Sequence, residues 1–310
     1  MATKARNKFA SDPEARAAKI EKAKEQLIAG VKAIKTGDEW KAMLSRMAVA
    51  GKLSPARLSF NNQILLWAQG STGRVATYQA WLKFGRQVRK GEKSLVILAP
   101  CPFKKADGKG GETKGIFFRA LAVFAEAQTD VTDASKIPAD AVLPRIADQA
   151  TFEHTTEELR EFALTLPDVS AITLRERTPE DISAEGWCVV KTGEIVVLTT
   201  GKTHAEIFSM LAHEIAHACM HKWGEHHTRS AAEVEAESVS FIVCHALGLD
   251  TSAAAFPYVA TWAGKLEDPT KAVLASGKRI ADAAHKILSC LAGESEAEES
   301  EPSEMSEAAE

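Results

Sequence analysis

Apolar residues recur at spacings of three and four near the start of the chain, a pattern typical of an amphipathic helix. They are Ile20, Ala23, Leu27, Val31 and Ile34. This pattern predicts one helix over residues 14–50. Ser54 and Pro55 then predict the start of a second helix, because a serine oxygen can cap free backbone amides and proline tolerates the first turn. We expect that helix to run to Gly70.

Shorter elements follow in the first half of the chain. Thr77 is a predicted cap for a short helix, "TYQAWLKFG", that ends at Gly85. The runs "SLVILAP" and "GIFFRALAVFAEAQT" have the composition of strands. The segment between them, "CPFKKADGKGGETKG", is rich in lysine and glycine and is predicted to be an exposed loop. Together these elements predict an α+β domain over residues 1–130.

The second half begins with a polar, proline-containing linker predicted at residues 131–150. Within "GWCVVKTGEIVVLTT", two short strands flank Thr192 and Gly193 and predict a hairpin. Helices are predicted at Thr155–Leu166, 203–222, 230–247 and about 270–292. The predicted fold class is therefore α+β with two domains, and the second domain, residues 151–292, is mainly helical with a small antiparallel sheet. The tail, residues 293–310, carries eight glutamates and no basic residue, so we expect it to be disordered.

The charge of the chain is divided unevenly between its halves. Residues 1–130 hold 24 Lys and Arg against 11 Asp and Glu, whereas the remainder holds 14 against 31. The first half should therefore attract polyanions. The five cysteines form no CxxC pair, which suits reduced thiols. The chain shows neither a secretory signal nor an apolar run of about 20 residues, so we expect a cytoplasmic protein that makes no membrane contact.

The stretch "LAHEIAHACMH" contains the pattern H-E-x-x-H at His213, Glu214 and His217. Thr203 and Glu206 form a capping box just after the predicted strand "IVVLTT". A helix is therefore predicted to start there and to contain the pattern. Residues four apart project from the same face of a helix, so both imidazoles can bind one metal ion. Glu214 then lies beside them, where it can take a proton from water at the metal.

A third ligand is expected from the following helix. Glu233 and Glu237 share one face of that helix, and Glu235 is turned about 200° away. Either Glu233 binds the metal and Glu237 orients a ligand histidine, which is our preferred assignment, or the two exchange roles. His221 continues the histidine row but lies about 12 Å from His213 along a straight helix, so we expect it to support the site or end the helix. Two histidines and one carboxylate leave a position open, as in catalytic zinc sites, so we expect one catalytic Zn²⁺.

Basic, amide and aromatic side chains alternate through residues 52–93, as in proteins that bind single-stranded nucleic acid. Trp67 and Trp81 are expected in the core. The candidate DNA-binding residues are Asn61, Asn62, Arg74, Lys83, Arg86, Arg89, Lys90 and Lys93.

With both sites placed, the chain resembles ArdC-type antirestriction proteins. The resemblance rests on "SFNNQILLWAQ", "TYQAWLKFGRQVRKGEKSLVILAP", "AHEIAHACMH" and "EVEAESVSFIVCHALGLD". It implies an N-terminal domain that binds single-stranded DNA and a C-terminal zincin-like metallopeptidase domain, similar to ImmA/IrrE-type peptidases. It further implies that His213 and His217 bind zinc, that Glu214 is the catalytic base, and that Glu233 is the third ligand.

The resemblance leads to the expectation of a protein that protects incoming DNA of a plasmid or phage and hydrolyses a protein substrate, itself not identified by the sequence. Its DNA partner is expected to be single-stranded, with double-stranded DNA also open. Two other hypotheses remain at this point. One is a regulatory protease that cleaves a repressor. The other is a protein that coats single-stranded DNA without catalysis, with a structural zinc.

Overall fold

A computed structural model describes residues 13–49, 58–106, 112–137, 145–181, 183–222, 228–251, 256 and 268–292. The helix start predicted at Ser54 and Pro55 and the acidic tail lie outside these ranges.

The first predicted helix is two helices, α1 (Pro13–Ala33) and α2 (Gly37–Val49). The prediction of one helix was wrong because a capping arrangement interrupts it. The Glu39 carboxylate accepts hydrogen bonds from the backbone amides of Lys35 and Thr36, and the Thr36 hydroxyl accepts one from the Glu39 amide. These bonds satisfy amides that have no partner at a helix start, so a new helix begins there.

Helix α3 is Phe60–Ala68, and Ser59 caps it by accepting a hydrogen bond from the Asn62 amide. The predicted helix began too early, because residues 58–59 are not helical. Helix α4 (Tyr78–Lys83) starts at the predicted Thr77 cap. The glycines after α3 and α4, Gly70 and Gly85, have φ of 78° and 65°, which explains why both helices stop there.

The described residues of this half form five strands. They are β1 (Val75–Ala76), β2 (Arg86–Val88), β3 (Leu95–Ala106), β4 (Glu112–Ala125) and β5 (Thr129–Val131). β3 pairs antiparallel with β4 along its whole length, from Leu95 opposite Val123 to Ala106 opposite Glu112. The loop predicted over residues 101–115 was wrong at both ends, because residues 101–106 and 112–115 form strand. Pairing between the two strands extends them despite the lysine and glycine content of these segments. We call the segment 100–119 the β-ribbon.

The second half contains α5 (Gln149–Leu164), α6 (His204–Met220), α7 (Arg229–Ala246) and α8 (Pro269–Leu291). Its sheet has the order β6–β8–β7, from β6 (Ala171–Arg175), β7 (Gly186–Val189) and β8 (Glu194–Leu198). The predicted hairpin of β7 and β8 is confirmed. The sheet is nevertheless mixed, because β6, which the pattern did not reveal, runs parallel to β8. The α+β fold class is confirmed.

The largest hydrophobic core joins the two halves. It contains buried residues of α1, α2 and α3 together with residues of α5 to α8 and the β6–β8–β7 sheet. Trp40 on α2 is fully buried and donates its indole N–H to the Ser238 hydroxyl on α7, 3.0 Å away. The bounds predicted for the two domains remain a prediction, but the N-terminal helices pack directly on the helices of the candidate metal site.

None of the helices in the described part of the chain combines the length and the apolar character that crossing a membrane would need. All five cysteines, which lie within the described ranges, are free thiols, as the sequence predicted.

Gly277 lets α8 approach α3, and this contact yields a prediction. A side chain built on buried Gly277 would collide with the Phe60 ring. We expect Gly277→Val to lower the free energy of unfolding by at least about 1 kcal/mol, as overpacked cores do. Urea denaturation measures this loss. Gly73→Val is the control, because nothing lies within 4 Å of a side chain there, and its change should stay within about 0.5 kcal/mol. An equal, small change in both variants would contradict the close packing of α8 on α3.

Candidate metal centre and basic surface

Helix α6 carries the H-E-x-x-H pattern in a fixed position. The Thr203 hydroxyl accepts a hydrogen bond from the Glu206 amide, and the Glu206 carboxylate accepts one from the Thr203 amide, so this capping box sets where the helix begins. One face of α6 is buried in the core through residues such as Leu211 and Ile215. His213 and His217 consequently lie one turn apart, both turned toward α7.

His213, His217 and Glu233 meet between α6 and α7. The Nε2 atoms of the two histidines are 3.1 Å apart. The Glu233 Oε2 atom lies 3.4 Å from Nε2 of His213 and 3.7 Å from Nε2 of His217. One ligand atom from each residue lies within 4.8 Å of the other two.

This arrangement fits a metal cation on chemical grounds. Two imidazole nitrogens that face each other at such a distance need a shared proton or a cation between them, because two lone pairs would repel. A carboxylate oxygen beside them supplies negative charge. Two histidines and one carboxylate are also a donor set that divalent transition metals accept.

Glu237 lies on the other side of the His213 ring. Its Oε2 atom is 3.2 Å from Nδ1 of His213. A carboxylate at Nδ1 favours the tautomer with the proton on that nitrogen and leaves the lone pair of Nε2 directed at the cluster. The structure therefore places Glu233 and Glu237 on different nitrogens of the same histidine.

The charges of the cluster are strongly coupled. Burial lowers the pKa of His213, but hydrogen bonds to Glu233 and Glu237 outweigh it and raise the pKa to about 9. Burial and the neighbouring His213 and His221 lower the pKa of His217 to about 4. The hydrogen bond with His213 holds the pKa of Glu233 at about 2, against the effect of its partial burial. Without a metal, these shifts favour one positive charge on the histidine pair, carried by His213, and a bound metal cation would take the place of that charge.

Glu214 is buried next to the cluster, with 8% of its surface exposed. Burial raises the pKa of Glu214 to about 7, and Glu233 adds to this, while His213 and the backbone amide of Cys188 lower it. A side chain at Gly186, on β7, would come within 3.2 Å of the Glu214 Oε1 atom. Strand β7 therefore passes directly beside this carboxyl group.

β7 and β6 are the outer strands of this sheet, since β8 is paired on both sides. β8 therefore has no free edge in this sheet.

His221 does not join the three converging residues. Helix α6 ends at Met220, and His221 leaves the helical path with φ of −115° and ψ of 108°. Its Nδ1 atom lies 3.0 Å from Nδ1 of His217, and its Nε2 atom lies 3.1 Å from Glu235. Pattern reasoning set Glu235 aside because it points away from Glu233, but this direction is what brings it to His221.

Three of the predicted DNA-binding arginines form ion pairs within the protein. Arg74 and Arg86 both contact Glu126, at 2.7 and 3.4 Å. Arg89 contacts Glu92 and Asp130 at 3.0 and 3.1 Å. These contacts neutralise much of the charge that a phosphate would use. The sequence did not reveal the contacts with Glu126, directly after β4, and with Asp130 on β5, because these acids lie about 40 to 50 residues further along the chain.

The other candidates divide by exposure. Lys83, Lys90, Lys93 and Asn61 lie at the surface. Asn62 is buried, and its amide both donates to the Leu98 carbonyl and accepts from the Leu98 amide, at 3.0 and 2.9 Å. Asn62 therefore ties α3 to β3 and offers no amide to the solvent.

Among the aromatic residues, Trp81 is buried as expected, and its indole N–H donates to the Phe124 carbonyl. Trp67 is half-buried against the main core. Tyr78 is exposed and lines an open cleft of about 620 Å³ together with Gln87, Arg89 and Lys90.

Sequence reasoning missed the apolar surface of the β-ribbon. Phe103, Ile116, Phe117 and Phe118 are 41, 63, 53 and 51% exposed. The Phe103 ring covers Gly115 on the paired strand and lies 6.2 Å from the Phe117 ring. Ile116 and Phe118 point to the other face, because side chains alternate along a strand. If the sequence reading had recognised that the two strands are long and paired, it would have placed Phe103 and Phe117 on one face.

Comparisons with known proteins agree with this architecture. Residues 18–137 match the family model described as the N-terminal domain of anti-restriction factor ArdC. The crystal structure of the Mn(II)-bound ArdC protein from the R388 plasmid is similar to this chain with a TM-score of 0.53 and 20% identity, over 87% of this chain and 97% of that one. The metal-free ArdC structure gives a TM-score of 0.49 and 21% identity, over 76% and 85%.

An uncharacterized protein of Bacillus anthracis, pXO2-81, is 26% identical over an alignment of 235 residues, which covers 62% of this chain. This chain spans only 38% of the length of that relative. The identity with ArdC is low, so the structural likeness shows the fold. The expected resemblance to ArdC is confirmed, whereas a likeness of the second half to ImmA/IrrE-type peptidases remains a prediction. Residues 18–137 thus match the family of ArdC N-terminal domains, and the fold of the chain is similar to that of ArdC.

Proposed function

We propose that this chain is a metal-dependent antirestriction protein that binds single-stranded DNA with its N-terminal part and hydrolyses peptide bonds beside Glu214. One observation carries the hydrolytic part of this proposal. The ligand atoms of His213, His217 and Glu233 converge within 4.8 Å, and a buried carboxyl group lies next to them.

His213, His217 and Glu233 would hold one divalent ion. We propose zinc, because two histidines and a carboxylate with one open position are its usual catalytic donor set. The Mn(II)-bound form of R388 ArdC makes Mn²⁺ the competitor to test. The ion would supply a positive charge that acidifies water and polarises a carbonyl group.

Glu214 is the residue proposed to move protons. Its raised pKa, about 7, means that the carboxyl group can both accept and release a proton near neutral pH. Its carboxylate oxygen would take a proton from the attacking water and pass it to the leaving amine. Because Glu214 is buried, little competing water surrounds that oxygen.

The outer strand β7 is the proposed guide for a peptide. Within the described part of the chain it pairs only with β8, so its other edge is open to an extended peptide. Gly186 lies on this strand in contact with Glu214, and the absence of a side chain there leaves room beside the carboxylate.

Single-stranded DNA is proposed to bind along the β-ribbon and the neighbouring cleft. Exposed rings on a paired ribbon offer faces on which bases can stack without sequence preference. By sequence, residues 100–119 contain four lysines and one arginine against two acids, which favours a polyanion. Tyr78 and Lys90, which line the cleft, and the exposed Lys93 are proposed to belong to the same DNA-binding surface.

Glu214→Gln tests the catalytic part. The amide keeps the shape of the side chain but accepts no proton, so we expect peptide hydrolysis to fall by about 10²–10⁴-fold. Bound metal and DNA affinity should stay unchanged, and protection of incoming DNA against restriction should be lost. Transfer of unmodified DNA into a restricting host measures protection, with Glu161→Gln on the exposed surface of α5 as the control.

Undiminished protection by Glu214→Gln would contradict proteolysis as the mechanism. It would favour a protein that protects DNA by coating it.

The combined change of Phe103 and Phe117 to alanine tests the DNA surface. Each stacked base contributes about 1–3 kcal/mol, so we expect affinity for an oligonucleotide to fall at least roughly tenfold. Fluorescence anisotropy with a labelled oligonucleotide measures it. Leu164→Ala, which removes an exposed apolar side chain from α5, should bind DNA like the unchanged protein. Equal affinity in all three proteins would show that the ribbon is not the binding surface.

A further inference from the structure

On the Nδ1 side of the His217 ring, away from the candidate metal cluster, three further side chains follow one another in a hydrogen-bonded series: His221, Glu235 and Arg279. His221 Nδ1 lies 3.0 Å from His217 Nδ1, and Glu235 Oε2 lies 3.1 Å from His221 Nε2. Arg279 on α8 completes the series, because it donates to both carboxylate oxygens of Glu235, with Nε 3.1 Å from Oε2. We call these four residues the histidine relay.

The protons of the relay can be ordered in one direction. If the lone pair of His217 Nε2 faces the metal, its proton must be on Nδ1, which then donates to His221 Nδ1. His221 must in turn carry its proton on Nε2 and donate it to Glu235. The Glu235 carboxylate can only accept hydrogen bonds, and the Nε and Nη2 groups of Arg279 donate to it from the other side. Every link therefore has one donor and one acceptor.

His221 and Glu235 of the relay are buried, which makes their polar character informative. Glu235 is 0% and His221 7% exposed. A buried ion pair stabilises a fold no more, on average, than apolar side chains of the same volume. Core packing of α7 on α8 alone therefore does not require Glu235 and Arg279. Their place at the end of a chain that begins on a candidate ligand points to the metal site.

We infer that His221, Glu235 and Arg279 are positioning residues that fix the ring of His217 for metal binding, an inference that rests on the metal site proposed above. The two candidate ligand histidines are then supported differently. His213 is oriented by Glu237 directly, 3.2 Å away. His217 is oriented through His221 by a carboxylate that α7 supplies and α8 holds.

This inference makes α8 part of the metal centre. Arg279 reaches Glu235 from α8 and also donates to Ser276, one turn earlier on its own helix, at 3.1 Å. This hydrogen bond within α8 helps to hold the Arg279 side chain in the position from which it contacts Glu235 on α7. Metal affinity should consequently depend on the docking of a helix that provides no ligand.

The test is the metal affinity of His221→Phe in the full chain. Phenylalanine keeps the ring but removes both nitrogens, so His217 loses its acceptor. We expect affinity for Zn²⁺ and Mn²⁺, measured by competition with a chromophoric chelator, to fall about 10–100-fold. The absorption spectrum of bound Co²⁺ should also change, because the ring of a ligand is no longer held.

A conservative variant separates positioning from packing. In His221→Gln the amide oxygen can accept from His217 and the amide N–H can donate to Glu235, so affinity should return to within about threefold of the unchanged protein. Ser240→Ala is the matched control. It removes the hydrogen bonds between Ser240 and Ser209, which join α6 to α7 away from the cluster, and it should leave metal affinity unchanged.

The inference is overturned if His221→Phe binds metal no more weakly than Ser240→Ala, or if His221→Gln is as weak as His221→Phe. Arg279→Met replaces His221→Phe should that variant not fold, since the Arg279 side chain is 36% exposed, and it should weaken metal binding in the same way. Absence of bound metal in the unchanged protein is a different result, because it would contradict the proposed metal site itself.

Discussion

The candidate metal centre depends on one packing contact, the one between α6 and α7. Neither helix can form the site alone, because α6 supplies two histidines and α7 supplies the carboxylates. Buried apolar side chains of both helices, such as Ile215 on α6 and Val239 on α7, belong to one hydrophobic core, and their packing sets the two helices in register. In that register, Glu233 faces both Nε2 atoms, Glu237 faces Nδ1 of His213, and Glu235 is directed to the opposite side.

The same helices connect the site to the rest of the molecule. Trp40 on α2 bonds to Ser238 on α7, one residue from Glu237. Phe60 on α3 packs against Gly277 on α8, two residues from Arg279. The N-terminal helices are thus part of the packing that holds α7 and α8. The half proposed to bind DNA and the half proposed to bind metal share a core. They therefore cannot be treated as independent modules.

Patterns read from the sequence succeeded where the physics is local. The capping box of Thr203 and Glu206, the cap at Thr77 and the glycine stops depend on residues a few positions apart, and the structure has all of them. Periodicity also placed Glu233 and Glu237 on one face of a helix.

The failures arose from contacts between distant residues. The interruption after α1 was hidden because Glu39 caps a helix within an otherwise continuous apolar pattern. Residues 101–106 and 112–115 were predicted as loop, although they form strand, because their conformation comes from pairing between strands and not from composition. Ion pairs with Glu126 and Asp130 occupy arginines that had looked free for phosphates. His221, Glu235 and Arg279 meet only because three helices pack together.

The central claim is that the protein holds one divalent ion at a site separate from the surface that binds DNA. Metal analysis of the purified protein, with oligonucleotide binding measured on the same sample before and after chelation, tests this most directly. The account predicts one ion per chain, removed by the chelator, and binding to single-stranded DNA that survives the removal. A protein that contains no divalent ion and takes up none when Zn²⁺ or Mn²⁺ is added would contradict it.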